Sequence, residues 1–193
     1  MKNFLAFSLV VLAAANAQAE KADRAKAALL GFESLHVDEV KQVKTMTGNV
    51  TITKGTLVLK ADKAMYKQTP QKNNQVILIG SDSSPASFRQ KRDGGPDLWI
   101  EGEAQRIEYD ELTNLVKLFT AAHIRQFDGT RLTDEIQSEF ISYDSIHEVF
   151  SANNHASGMS KPGRGRGKMI IAPRIPQSEG AAPLQAPIAV PPT

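Results

Sequence analysis

Hydrophobic and polar positions alternate with a period of two through most of the chain. In G-N-V-T-I-T-K-G-T-L-V-L-K, residues 48–60, a two-residue turn at Lys54-Gly55 would set Thr53 against Thr56, Ile52 against Leu57, Thr51 against Val58 and Val50 against Leu59. One face then carries Val50, Ile52, Leu57 and Leu59, and the other is mostly threonine. The alternation recurs at Ile77 and Ile79, Ala86 and Phe88, Leu98 and Ile100, Ile107 and Tyr109, and in V-K-L-F-T at 116–120. Each such segment reads as a strand with one apolar face and one wet face. Beside them only a short helix around Arg24 to Leu30 is expected, too little for a helical layer. The sheet must cover its own apolar face, which predicts an all-β antiparallel structure, sandwich-like or jelly-roll-like.

The turns repeat as well. V-D-E-V-K-Q-V at Val37, Y-D-E-L-T-N-L at Tyr109 and Y-D-S-I-H-E-V at Tyr143 share one signature: an apolar or aromatic residue ends a strand, an Asp opens a polar turn, and an apolar residue starts the return. Val37 to Tyr109 is 72 residues and Tyr109 to Tyr143 is 34. A further copy fits at Tyr66, which ends L-V-L-K-A-D-K-A-M-Y, with its turn grown into K-Q-T-P-Q-K-N-N-Q before Val76. Hairpins repeated in this way imply stacked antiparallel sheet.

Composition bears on the ends. Residues 1–19 carry Lys2, an apolar stretch from Phe4 to Ala15 and the small residues Ala17-Gln18-Ala19, the pattern of a cleavable export signal. The stretch is shorter than the roughly 20 residues a bilayer requires. Cleavage after Ala19 is expected, with Ala15-Asn16-Ala17 the next site. The chain has no cysteine, so an exported fold must hold by burial and sheet hydrogen bonds alone. The overall charge of +2 conceals an asymmetry. Residues 20–160 carry about −3, whereas residues 161–193 set Lys161, Arg164, Arg166, Lys168 and Arg174 against Glu179. A boundary near Gly158 separates a β domain, 20–158, from a basic Gly/Pro-rich tail, 159–193, in which a short strand at Met169–Ala172 is the one element expected.

Candidate chemistry is sparse. His36, His123, His147 and His155 form no ligand spacing, which leaves no metal or cofactor site and no nucleophile paired with a base. Asp110-Glu111 and Asp134-Glu135 point to opposite faces if extended, so neither is a close acid/base pair. No enzyme is expected. G-R-G-R-G at 163–167 lacks the strand and helix of a phosphate cradle, and export argues against nucleic acid as its partner. Anionic lipid headgroups or phosphates are one reading of this basic tail, and a solubilising extension is the other. The predicted interior is light in bulk, with one Trp and many Ala, Ser and Thr. Small residues either taper a thin core or leave an apolar groove for acyl chains.

The stretch from Leu29 to Tyr66, followed by P-A-S-F-R-Q-K-R-D-G, I-E-G-E-A-Q-R-I-E-Y-D and D-E-I-Q-S-E-F-I-S-Y-D, resembles the OstA-like family of periplasmic lipopolysaccharide-transport bridge proteins. The resemblance covers roughly residues 29–157 and does not reach the tail. It departs from the pattern where the second G-N-V-like position reads T-A-A-H-I-R-Q, so the register around Thr120–Gln126 is left open. What it implies is a twisted antiparallel β-jelly-roll, open at its ends, that binds the lipid A part of lipopolysaccharide in its apolar interior. It further implies the periplasm as location and three kinds of partner besides the lipid: an inner-membrane transport complex with its bitopic OstA-like component, an outer-membrane assembly β-barrel, and further copies joined head to tail.

On that basis Val50, Ile52, Leu57, Leu59, Phe88, Ile107, Tyr109, Leu118 and Phe140 are expected to line the lipid path, with Ile141 competing with Phe140 for the inside. Unpaired edges are expected at Leu35–Thr45 and at Val149–Ala152 or Met169–Ala172, with the tail folding back over the latter edge and limiting growth. The rival reading is an exported carbohydrate-binding β-sandwich, which would need exposed Trp and Tyr platforms.

Overall fold

The computed structural model describes residues 22–23, 25–69 and 73–173; the expected signal at 1–19 and the end of the tail lie outside them. The described residues form twelve strands. The first half holds β1 (Leu29–Gly31), β2 (Ser34–Asp38), β3 (Val43–Lys54), β4 (Leu57–Gln68), β5 (Asn74–Ile79) and β6 (Ala86–Lys91). The second holds β7 (Leu98–Ala104), β8 (Arg106–Asp110), β9 (Leu115–Asp128), β10 (Arg131–Asp144), β11 (Val149–Asn153) and β12 (Lys168–Ile171). All pairings are antiparallel and belong to one continuous sheet.

That sheet folds on itself because its four long strands each serve two layers. The first layer runs β2, β3, β4, β5, β8, β9, β10, β11, and the second runs β1, β3, β4, β6, β7, β9, β10, β12. The crease is local backbone chemistry. In β3 it falls at Gly48 (φ 77°) and Asn49 (φ 45°), between the pairs made by Thr47 and Val50. A Cβ on Gly48 would also run into the Glu33 carboxylate, so glycine is required there twice over. In β9 it falls at Thr120 (φ 65°) and Ala121 (φ 52°), opposite a register shift between Ser138 and Phe140 of β10. Beyond it His123 opposes Gln137 and Ile124 opposes Ile136, which defines the register that the sequence left open.

The 72-residue spacing is a structural repeat. Strand β8 starts 72 residues after β2, β9 starts 72 after β3, and the two creases keep the same offset. The halves join through β5 with β8 and β6 with β7. The repeated turns also share one geometry. Asp38 accepts from the N–H of Lys41, Asp110 from those of Leu112 and Thr113, and Asp144 from those of Ile146 and His147. Each turn closes on a residue at φ 53°: Gln42, Asn114 and Glu148. These aspartates are therefore turn formers.

Three local expectations change. The first hairpin turns at Gly55-Thr56 rather than Lys54-Gly55, since Lys54 opposes Leu57 and Ile52 opposes Leu59. This puts Gly55 (φ 62°) at the first turn position, where a positive φ is wanted. In β5, Val76 and Leu78 are buried, not Ile77 and Ile79; the run V-I-L-I has no alternation to read. The expected helix at Arg24–Leu30 gives way to turn hydrogen bonds from Ala25 and Lys26 to Ala22 and Asp23, and Leu29 already starts β1. In the segment read as tail, Lys168–Ile171 forms β12 on β10, within a residue of the strand expected there.

Candidate functional site

The site is the space between the layers. Val50, Ile52, Leu57, Leu59, Phe88, Ile107, Tyr109 and Leu118 all belong to one buried cluster, each no more than 6% exposed. They share the inward face that alternation predicts because parity survives the shifted turn: partners change by two residues and faces do not. Phe88 fills the space left by Gly102, where a Cβ would collide with its ring.

Phe140 is the exception. Ile141 opposes Leu118 and lies in the cluster, fully buried, so Phe140 points to the other face. There it meets Phe119 edge-on at 5.2 Å and lies under Gly158. The register shift just before it in β10 decides which of the two apolar neighbours goes inside. The sequence reading missed Met46, Leu78, Ile124 and Tyr143, all 0–1% exposed, and named Ile141 only as the rival of Phe140. Tyr143 stacks on Phe150 at 4.5 Å.

Small and large side chains mix in the interior. Ala61, Ala64, Ala86, Ala104 and Ala122 are buried beside the crease, with Ala61 opposite Val50 and Ala64 opposite Met46. Opposite the crease the layers meet along a polar seam. Lys54, at the tip of β3, reaches Glu111 in the β8–β9 turn, Nζ to Oε1 3.5 Å, both side chains about 15% exposed. Glu111 also accepts from the Tyr66 hydroxyl (3.0 Å) and from the Asn74 amide (2.9 Å). Burial and the adjacent Glu111 push the Tyr66 phenol well above its usual range, which keeps it a donor. One hairpin further along, Arg92 sits 3.3 Å from Glu148 and donates to Gln126 at 3.1 Å. Among the described residues, two buried polar atoms on this side have no partner, Nε of Arg92 and Nδ2 of Asn114.

The interior also reaches both ends. Leu35 opposes Met46 and so faces inward, yet it is 44% exposed; Val37, two residues on, shares its face. At the other end Met169, opposite Ile136, and Ile171, opposite Asp134, are 56% and 66% exposed. Ile136, Phe150, Ala152 and Met169 line a cleft of about 600 Å³ beside them.

The remaining candidates are surface groups. His123 lies between Glu103 (3.1 Å) and Glu135 (2.7 Å) across neighbouring strands, His147 beside Asp144, and His155 beside Ser157. Among the described residues no group of three acidic, His or Cys side chains is placed to hold a metal ion. Among the aromatics Tyr109 and Tyr143 are buried, whereas Trp99 lies outside with the Arg89 guanidinium 4.4 Å from its ring.

Known proteins share this architecture. The crystal structure of LptH from Pseudomonas aeruginosa, described as the LptA-homologous periplasmic component of the lipopolysaccharide transport device, aligns with a TM-score of 0.67 at 24% identity, over 78% of this chain and 99% of that one. In sequence, the lipopolysaccharide export system protein LptA of Haemophilus influenzae is 27% identical over 91% of this chain and 95% of its own length. The corresponding protein LptH of Pseudomonas aeruginosa is 26% identical over 84% and 89%. These are transport proteins rather than enzymes. The family model for LptA and the LptD N-terminal domain, lipopolysaccharide (LPS) transport proteins, matches residues 33–149, more than half of the chain, and the chain belongs to that family.

Proposed function

We propose that this protein is a periplasmic carrier that holds the lipid A part of LPS between its two layers and passes it from the inner towards the outer membrane. The observation that carries the reading is the continuity of the apolar interior with two unfinished ends. Leu35 and Val37 at one end, and Met169 and Ile171 at the other, face inward and stay exposed. A closed core would cover them. Strands β2 and β11, each paired on one side only among the described residues, offer backbone groups to a neighbour, which suits strand addition by the bitopic OstA-like component of an inner-membrane complex, by an outer-membrane assembly barrel, or by a second copy. The carbohydrate-binding reading is weaker, because two of the three tyrosines are buried and Trp99 is engaged by arginine.

Photo-crosslinking tests the lipid path. A crosslinker at Leu59 or Ile107 should capture LPS in cells, whereas one at Thr51 or Val58, on the outward face of the same hairpin, should not. Equal capture from both faces would refute the interior path.

A further inference from the structure

The interior is packed in this structure, so acyl chains enter only if the layers part, and the side opposite the crease is held by polar contacts. Lys54–Glu111 and Arg92–Glu148 are two such contacts, one hairpin apart, each joining a cation of the second layer to a carboxylate of the first. Separating such partly buried pairs is costly unless another anion takes the place of the carboxylate on the cation. The unpartnered Nδ2 of Asn114, a residue 5% exposed, and the unpartnered Nε of Arg92 are donors left over on the same side.

We propose that Lys54 and Arg92 form an anion-binding row that holds the phosphate groups of a phosphorylated, acylated sugar while its chains lie between the layers. Glu111 and Glu148 occupy the two cations when no lipid is bound, and the seam opens as phosphate replaces carboxylate. Arginine offers the planar fork that phosphate accepts, and lysine a point charge. The unused Arg92 Nε and Asn114 Nδ2 add donors to the row. Two rungs along the direction of travel let a head group pass from one cation to the next. The inference rests on the lipid-carrying reading and adds to it the residues that select for phosphate.

The test compares binding of bisphosphorylated and monophosphorylated hexa-acyl lipid A to the full chain and to Lys54→Met, Arg92→Gln, Glu111→Gln and Glu148→Gln. The native chain should prefer the bisphosphorylated lipid. Lys54→Met and Arg92→Gln should each weaken its binding about tenfold and reduce that preference. Glu111→Gln and Glu148→Gln should bind it as tightly as the native chain or more tightly. Lys54→Met and Glu111→Gln break the same ion pair, so a purely structural clasp would make the two behave alike, and that result overturns the row. Displacement of the lipid by millimolar inorganic phosphate would also overturn it, since the cations would then be a free-phosphate site. A native chain that binds both lipids equally removes the row and leaves the carrier intact, whereas one that binds neither removes the carrier itself.

Discussion

Leu59 shows how one side chain carries both stability and the proposed path. It is 1% exposed in the cluster between the layers, opposite Ile52 and Phe88 on the two neighbouring strands. Truncation to Ala should cost about 2–5 kcal/mol, read as a lower urea midpoint with unchanged slope. Leu59→Asp is a sharper probe of carriage, because an unpaired carboxylate there opposes acyl chains as well as the core. Circular dichroism separates the two effects, and a folded Leu59→Asp protein that still carries lipid normally would count against the interior. Phe140 and Ile141 make the complementary pair. A crosslinker at Ile141 should capture lipid and one at Phe140 should not, reversing the expectation that sequence alone supports. Both residues are apolar, and the bulge that chooses between them leaves no mark in the sequence.

At the scale of the element, the turns titrate and the creases strain. Hydrogen bonds from His147, side chain and backbone, hold the Asp144 carboxyl below its usual range, and those of Lys41 do the same for Asp38. Burial pulls Asp110 upward, but the N–H groups of Thr113 and Leu112 and the Asn73 amide outweigh it and leave it lowered too. A depressed folded value means the stabilisation is complete above the unfolded value, near 3.9, and is lost as pH falls through the lower folded ones. The melting temperature should therefore fall below about pH 4, and Asp110→Asn should flatten that fall. Gly48→Ala should cost about 1–2 kcal/mol through its positive φ, with the Glu33 contact adding to it, and denaturant unfolding measures it.

These elements were legible to different degrees. The turns announced themselves because an Asp after an apolar or aromatic residue is local chemistry. The first crease was half visible in Gly48-Asn49, since both residue types tolerate positive φ. Nothing in Thr120-Ala121 signals the same conformation, and only the 72-residue offset links the two. The seam could not be read at all, because Lys54 meets Glu111 across 57 residues and only the stacking of the layers brings them together.

Across the whole molecule the described sheet is a repeat with an edge strand at each end, and the repeat dictates how another copy would continue it. Where the halves join, Val76 opposes Tyr109, Ile77 opposes Glu108 and Leu78 opposes Ile107. Tyr109 stands 72 residues after Val37, and Phe150 holds in β11 the place Val76 holds in β5, since each opposes a tyrosine, Tyr143 or Tyr66. Strand β2 of a following copy should therefore set Val37 against Phe150, His36 against Ser151 and Leu35 against Ala152. Strand β12 holds the place of β6 and should receive β1 as β6 receives β7, so truncation after Ser160 should shorten such assemblies rather than release them from a cap. The chain has no cysteine, which makes the register testable with one engineered pair. His36→Cys with Ser151→Cys, both on the outward face, should give a ladder of disulfide-linked multimers on a non-reducing gel, while His36→Cys with Asn153→Cys, two residues out of register, should give little. A ladder with no fixed upper size is expected, since a heterologous contact of this kind does not close on itself. Equal ladders from both pairs would mean that the copies meet without a defined register, and the absence of any ladder would mean that the open edges serve partners other than this chain.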